Sequence, residues 1–177
     1  MKLINHIPFI QFNNGFHLRK LTILDSEALF PTLNDTENHK FTTFEPHLTI
    51  KQTTDWIEKT RVNPIWAIAL PDDKAIGFVG YHTVNPDERS CMVAFHLNKE
   101  FWGNGIAPAA VILTDQHIFN STAIVQIKAT VKPENVQSQR CLEKAGYSLE
   151  RVNDDYISSA INDKSRVRYL YSKQVFL

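Results

Sequence analysis

The chain has 177 residues, 43% of them hydrophobic and 21% charged, which is typical of an ordinary globular protein and predicts one domain over residues 1–177. Its 19 basic and 19 acidic side chains cancel, so no overall positive field favours binding to nucleic acid or to an anionic membrane. The apolar runs fall far short of the roughly 20 residues that span a bilayer, and two cysteines match neither a disulfide scaffold nor a zinc motif, so we expect a cytoplasmic protein without a metal site.

The first half of the chain has the pattern of an antiparallel meander with two helices. In chain order the predicted elements are a strand over 16–23, a helix over 27–33, an irregular segment over 36–48, a helix from Thr49 to Asn63-Pro64, and strands over 65–70, 75–84 and 91–97. Pro31 should limit the first helix, because proline lacks the N–H that an inner helical turn needs. The turn sequence over 71–74 joins the strands on either side of it, so we expect those strands to form a hairpin.

In the second half of the chain, helices and strands alternate. The predicted elements are a helix over 106–119, a strand over 124–131, a helix over 135–145 ended by Gly146, and a final strand over 167–175. Because the strands over 91–97 and 124–131 are joined through a helix, they should be parallel. The sequence therefore predicts an α+β, or mixed α/β, fold: a central, mostly antiparallel sheet of about six or seven strands with one parallel pair and helices on both faces.

A glycine-rich turn over 102–107 opens the helix that follows the strand over 91–97. Glycine lets a ligand approach the backbone closely, and the free N–H groups of a first helical turn favour an anion such as a phosphate or pyrophosphate. The pattern is not a dinucleotide fingerprint, because Pro108 stands where the third glycine belongs, and it lacks the Gly-Lys-Ser/Thr of a P-loop. Such turns are also common without a ligand, so this segment alone leaves both interpretations open.

Three segments together resemble the GNAT acetyltransferase superfamily, and within it the RimJ/RimL type that acetylates the N-termini of ribosomal proteins. They are Trp-Gly-Asn-Gly-Ile-Ala at 102–107, Asn-Val-Gln-Ser-Gln-Arg at 135–140 and the closing pair Gly146-Tyr147. The resemblance covers most of the chain from residue 16 on, although the part before residue 91 matches only in pattern. It implies a GNAT-like domain whose parallel strands splay apart, and an N-acetyltransferase that uses acetyl-CoA as cosubstrate.

The resemblance also implies which residues would bind acetyl-CoA. The pyrophosphate would lie on the amides of 102–107, and the pantetheine arm would pair like an added strand with the edge of 95–97. Asn135 would hydrogen-bond that arm, and Ser138, one turn along the same helix, would point at the thioester sulfur. The cofactor-binding residues expected in this way are Phe95, His96, Leu97, Trp102, Gly103, Asn104, Gly105, Ile106, Ala107, Asn135 and Ser138.

Two catalytic groups follow from the same resemblance. Ser138 is expected to donate a proton to the leaving sulfur, because Leu142 occupies the place of the tyrosine acid found in many other members. A backbone N–H near Phe95 is expected to bind the oxyanion. A structural role for Ser138, with its hydroxyl bonded to a helix carbonyl, is the alternative.

The general base is harder to assign. Met92 stands where an acidic base often lies in the family, so the sequence lacks the usual group. We take His96 as the candidate base, with His82 and Glu45 as alternatives, because an imidazole has an ordinary pKa near 6.5. Each histidine could equally be structural, and Glu45 could be a solvated surface charge.

The expected reaction is transfer of the acetyl group to a primary amine. The missing acidic base favours a protein N-terminal α-amine, whose pKa of about 7.7–8.0 leaves it partly neutral, over a lysine with a pKa of about 10.4. A small amine (an aminoglycoside, a polyamine or an amino acid) is the alternative acceptor, and a non-catalytic coenzyme-A-binding sensor is the alternative class. The loops over 36–48 and 153–165 carry no motif that names the acceptor, and either a monomer or a homodimer is expected.

Overall fold

The computed structural model describes residues 6–42, 44–155 and 167–175, so most of the loop over 153–165 lies outside the described residues. Within these ranges the strands are β1 (Ile10–Phe12), β2 (Phe16–Lys20), β3 (Ile65–Ala69), β4 (Ala75–Asn85), β5 (Ser90–Leu97), β6 (Gln126–Val131), β7 (Ser148–Asn153) and β8 (Arg168–Gln174). The helices are α1 (Ser26–Asn34), α2 (Thr36–His39), α3 (Ile50–Thr60), α4 (Ile106–Ser121) and α5 (Val136–Lys144). Among the described residues, no helix combines the length and the apolar character needed to cross a membrane.

The described strands form one eight-stranded sheet in the order β1-β2-β3-β4-β5-β6-β8-β7. Every neighbouring pair is antiparallel except β5 and β6, whose parallel pairing confirms the prediction from the strand–helix–strand order. The prediction of six or seven strands falls short because it lacks the two edge strands. β1 has only three residues, too few for its Ile-Gln-Phe alternation to identify a strand, and β7 is exposed along nearly its whole length, without a buried apolar face.

Helices cover both faces of the sheet, as predicted, and each face buries its own apolar cluster. On one face α4 and α5 pack against side chains that include Trp66, Val79, Tyr81, Val93 and Ile127. On the other face Leu29 and Leu33 of α1 and Ile57 of α3 pack with sheet residues that include Ile65 and Phe78. A fully buried Leu, Ile or Phe stabilises the fold by about 1.5–3 kcal/mol, so the two clusters together fix the sheet between its helical layers.

The helix boundaries follow the predicted caps. Thr49 caps α3 through a reciprocal capping box, in which its side chain accepts from the Gln52 N–H and the Gln52 side chain accepts from the Thr49 N–H. Gly146 follows α5 with φ +88°, a left-handed conformation that suits glycine. Pro31 lies inside α1, as the predicted range 27–33 placed it, and α1 ends one residue beyond that range, at Asn34. The N–H that proline lacks would have met the carbonyl of Glu27, and because Glu27 lies in the exposed first turn, water can satisfy that carbonyl instead.

Candidate active site

Strands β5 and β6 are paired over only three residue positions and then separate. The pairs run from Ser90↔Gln126 to Met92↔Lys128, although both strands continue further. On its other side β5 stays paired with β4 as far as Leu97. A V-shaped gap therefore opens between two parallel strands, and one side of this gap is the C-terminal half of β5.

The peptide groups of Phe95 face this gap. The N–H of Asn98 donates to the carbonyl of Ile76 at 2.8 Å, and because bonds in an antiparallel pair alternate, the even-numbered residues of this part of β5 face β4. Consistent with that alternation, the carbonyl of Leu97 turns away from β4 and accepts from Trp102 Nε1 at 2.8 Å. The N–H and C=O of Phe95 consequently point toward the side where β6 has left the sheet, and they are available to an extended ligand.

A run of five backbone amides, those of residues 103–107, has no acceptor within the described part of the chain. The first helical bond of α4 joins the Ala109 N–H to the Gly105 carbonyl at 3.2 Å, and Pro108 has no N–H. Gly103 and Gly105 have φ values of 81° and 73°, and a Cβ built on either of them meets no atom within 4 Å, so the space in front of the amides is open. These amides, together with the positive end of a 16-residue helix, fit a diphosphate.

The amide of Trp102 is not part of this run, which differs from the predicted binding turn. Its N–H donates to the carbonyl of Lys99 at 3.1 Å. Its indole donates to Leu97, and its side chain is 40% exposed, so Trp102 ties the turn to the end of β5. The side chain of Asn104 donates to the carbonyls of Phe101 and Trp102 at 3.3 and 3.2 Å. These contacts fix the turn without using the amides that follow it.

The first turn of α5 carries the two polar residues predicted to contact the pantetheine arm and the sulfur. Asn135 is the N-cap, and its Oδ1 accepts from the N–H of Ser138 at 3.1 Å. The Asn135 amide nitrogen and the Ser138 hydroxyl have no partner among the described residues, and both side chains are partly exposed. The hydroxyls of Thr60 and Thr114, in contrast, bond to the carbonyls four residues before them at 2.8 and 2.9 Å. The Ser138 hydroxyl is therefore free to meet a ligand.

Six rings form a contiguous cluster on the face of the sheet opposite α4, and we call this cluster the aromatic wall. Its members are His39, Phe44, His47, Trp56, Phe78 and His96. The His96 ring centroid lies 5.3 Å from that of Phe78 and 5.0 Å from that of His39. His39 ends α2, a single turn within the segment predicted to be irregular, and its Nε2 is bonded to the Leu33 carbonyl at 3.0 Å. The irregular segment thus packs directly on β5.

The aromatic wall keeps its imidazoles neutral at physiological pH. Burial, and after it the neighbouring His39 and His47 rings, lower the pKa of His96 to about 3. Burial also lowers the pKa of His39 and of His47. Residue His96 as a whole is half-buried, and its ring has no hydrogen-bond partner among the described residues. It can accept a hydrogen bond from a ligand, but with this pKa it cannot hold a proton near pH 7, which weakens it as a general base.

Of the two alternative base candidates, His82 lies apart from His96, whereas the charge of Glu45 acts on His39, whose ring lies 5.0 Å from that of His96. His82 is exposed and sits directly across from Met92 in the β4–β5 pairing, with its Nδ1 2.7 Å from the Thr83 hydroxyl oxygen. Glu45 is exposed in the segment after α2. Within the described ranges, no three His, Cys, Asp or Glu side chains are grouped in a way that could hold a metal ion.

A buried polar network that the sequence patterns did not predict lies where α4 meets the sheet. Asp115 is fully buried; its Oδ1 accepts from the hydroxyls of Tyr81 at 2.7 Å and Tyr147 at 3.0 Å, and its Oδ2 accepts from Lys173 Nζ at 3.0 Å. Burial raises the pKa of Asp115 and of both tyrosines. The sequence signal that could have revealed it is Asp115 as the one charged side chain between Ile106 and Ser121. Because its oxygens are all used internally, we assign this network to stability.

Comparison with known sequences identifies one family. The profile of the acetyltransferase (GNAT) domain matches residues 16–148. The uncharacterized N-acetyltransferase p20 of Bacillus licheniformis is 26% identical over 146 residues, which cover 78% of this chain and 82% of p20.

Solved structures share the fold at lower identity. The ribosomal-protein-S5-alanine acetyltransferase from Vibrio fischeri gives a TM-score of 0.75 with 21% identity, over 95% of this chain and 97% of that one. The spermidine N-acetyltransferase from Vibrio cholerae, solved with CoA and spermine, gives a TM-score of 0.77 with 18% identity, over 92% of this chain and 96% of that one. These similarities show a common fold, and the acceptors of the two proteins differ in class.

Proposed function

Since this chain belongs to the acetyltransferase (GNAT) family, whose members use acetyl-CoA, we propose that it is an N-acetyltransferase that acetylates the α-amine at the N-terminus of a protein. The observation that carries the proposal is the run of unpaired amides over 103–107 beside the gap between β5 and β6. An anion-binding helix start next to an unpaired strand edge suits a ligand that has a diphosphate and an extended amide-containing arm.

The proposed placement of acetyl-CoA uses each of these groups. The pyrophosphate binds the amides of 103–107, and the pantetheine arm lies along β5, where one of its amides donates to the C=O of Phe95. The N–H of Phe95 remains for the carbonyl oxygen of the thioester. The free amide nitrogen of Asn135 donates to the same arm. This placement leaves the thioester between β5 and the first turn of α5, within reach of Ser138.

In the proposed reaction the neutral amine attacks the thioester carbonyl. The N–H of Phe95 donates to the carbonyl oxygen as that oxygen gains negative charge. The C–N bond forms, the C–S bond breaks, and the Ser138 hydroxyl donates a proton to the departing sulfur while the proton lost from the amine passes to water and restores the hydroxyl. His96 accepts a hydrogen bond from the incoming amine and orients it, since its low pKa suits a neutral acceptor better than a base.

The acceptor side favours an α-amine over a polyamine. The aromatic wall offers rings and neutral imidazoles, whereas a polycation is best held by several carboxylates. A site without a strong base also requires an amine that is partly neutral before it binds. The pKa of an α-amine is more than two units below that of lysine, so more of it is neutral near pH 7.

An acceptor panel tests this proposal. We expect a peptide with a free α-amine to release thiol from acetyl-CoA with a kcat/KM about 100-fold above that of an N-blocked peptide with one lysine, because more of the α-amine is neutral. The peptide kcat/KM should rise with pH through the pKa of the amine, about 8, and show no ionisation near 6.5, because the pKa of His96 lies at about 3. The measurement is thiol release between about pH 5.5 and 9.5. A preference for spermidine would move the assignment to small amines, and coenzyme A binding without turnover would favour the sensor.

Ser138→Ala tests the proposed acid. We expect kcat to fall about 100-fold, as for removal of a general acid, while the Kd of acetyl-CoA changes less than about three-fold. Steady-state kinetics and calorimetry measure the two quantities. Ser121→Ala is the control, because Ser121 is exposed at the opposite end of α4 from the glycine turn. Unchanged turnover in Ser138→Ala would make this hydroxyl structural.

A further inference from the structure

One ion pair connects the turn before α4 with the helices on the opposite face of the sheet. Lys99 Nζ lies 2.7 Å from Asp35 Oδ2, with side-chain exposures of 55% and 19%. The two residues are far apart in the chain and belong to different halves of the candidate site. A partly exposed ion pair of this kind generally adds little to the free energy of unfolding. Its interest lies in its position, because it joins two parts of the candidate site.

Lys99 lies at the start of the turn that leads into the amide run. It begins the short 3-10 turn that follows β5, and its carbonyl accepts from the N–H of Trp102 at 3.1 Å. The neighbouring Asn98 side chain caps the same turn by accepting from the Glu100 N–H at 3.0 Å. The backbone of Lys99 therefore helps to fix the start of the 103–107 amides, while its ammonium group reaches the other layer.

Asp35 is the joint between α1 and α2. It is the C-cap of α1 and the N-cap of α2, and its Oδ1 accepts from the N–H of Glu37 at 3.0 Å. At the other end of α2, His39 places its ring 5.0 Å from that of His96 on β5. The single turn of α2 is thus held at one end by Lys99 and at the other end by the aromatic wall.

We propose that Asp35 and Lys99 form a positioning pair that sets the aromatic wall, which receives the acceptor, relative to the 103–107 amides, which hold acetyl-CoA. This inference rests on the proposed function. Neither residue touches the reacting atoms; the pair acts by keeping α2, and with it His39, in register with the end of β5. Loss of either charge should therefore weaken use of the acceptor while leaving the binding of acetyl-CoA nearly intact.

The test is a double-mutant cycle built on Asp35→Asn and Lys99→Gln. Asparagine keeps the N-cap oxygen of α2 and removes only the charge. We expect each single variant, and also the double variant, to lower kcat/KM for the acceptor peptide about five-fold, because an exposed pair provides one modest coupling that either change removes. Lys99→Arg should retain wild-type kinetics, because it keeps the cation. The Kd of acetyl-CoA should stay within about two-fold throughout, and the melting temperature should stay within about 2 °C.

A second exposed ion pair in the same protein provides the matched control. Lys51 and Asp55 on α3 are also joined at 2.7 Å but lie on consecutive turns of one helix. Lys51→Gln and Asp55→Asn should leave acceptor kinetics unchanged.

The outcomes separate this inference from the proposed function. A wild-type protein without acetyl transfer would refute the proposed function before any variant is compared. If the wild type is active but the effects of Asp35→Asn and Lys99→Gln add up, the positioning pair is wrong. Weaker acetyl-CoA binding in Lys99→Gln alone, with Asp35→Asn unaffected, would also overturn it and make Lys99 a phosphate ligand.

Discussion

Replacing Gly105 with aspartate should raise the KM for acetyl-CoA about 100-fold. The side chain would enter the open space in front of the 103–107 amides and place a negative charge where the pyrophosphate is proposed to bind. Two like charges about 4 Å apart near a protein surface repel by roughly 4 kcal/mol, and solvent screening reduces that value, so a loss of about two orders of magnitude is reasonable. Steady-state kinetics with varied acetyl-CoA, and calorimetry with coenzyme A, measure the effect.

Gly105→Asn is the matched control for this experiment. Asparagine has nearly the same size and also tolerates the left-handed φ of 73°, but it is neutral. We expect it to raise KM only several-fold, so the difference between the two variants isolates the charge. Both should lower the melting temperature by the same few degrees, because a side chain at φ 73° is strained although its Cβ meets nothing within 4 Å. Equal KM values for the two variants would remove the pyrophosphate from the amides of this turn.

Replacing Asp115 with alanine should destabilise the folded protein by about 3 kcal/mol. The change leaves Lys173 without its partner and the Tyr147 hydroxyl without its acceptor, while the Tyr81 hydroxyl keeps only Thr114 at 2.7 Å. Removing one member of a buried pair typically costs about 3–5 kcal/mol. We take the lower value because the Lys173 side chain is 21% exposed and can be partly hydrated. For a chain of this size the loss corresponds to a fall in melting temperature of about 6–12 °C, measurable by calorimetry or circular dichroism.

Asp87→Ala serves as the control for Asp115, because Asp87 is exposed in the turn between β4 and β5. It should change the free energy of unfolding by less than about 0.5 kcal/mol. The Kd of acetyl-CoA for folded Asp115→Ala should remain near the wild-type value, since the network does not face the gap. A stable Asp115→Ala variant that has lost cofactor binding would contradict the structural assignment and move Asp115 into the site.

The sequence predicted the parts of the fold that depend on short-range patterns. The Thr49 cap, the hairpin around 71–74 and the parallel pair around α4 each follow from a few neighbouring residues, and the structure confirms them. The edge strands β1 and β7 were missed because an edge strand is recognised by its hydrogen-bonded neighbour rather than by its own apolar pattern.

Features of the candidate site that depend on local backbone conformation could be predicted from the sequence. Features that depend on packing between distant parts of the chain could not. Gly103 and Gly105 predict the open turn from the sequence. The hydrogen bond from the Trp102 N–H to the Lys99 carbonyl, which removes that N–H from the binding turn, depends on the 3-10 turn before it and was not predicted. The pKa of His96 falls to about 3 because rings from three other segments of the chain bury it. The sequence suggests only the ordinary imidazole pKa of 6.5, because it does not show which rings surround His96. The roles of Asn135 and Ser138 stay predictions, supported by their free polar atoms.

The separation of β5 from β6 also bears on how the protein behaves when it is empty. Sheets normally hide their unpaired backbone groups or confine them to short outer edges, because such groups can recruit a strand from another molecule. Here an open edge lies in the middle of the sheet, at Phe95, where neither neighbour can close it. The N–H and C=O of Phe95 can hydrogen-bond an extended ligand arm or the extended backbone of another polypeptide equally well. We therefore expect the empty protein to self-associate more readily than the protein with acetyl-CoA in the gap, which would link its solubility to the supply of cosubstrate.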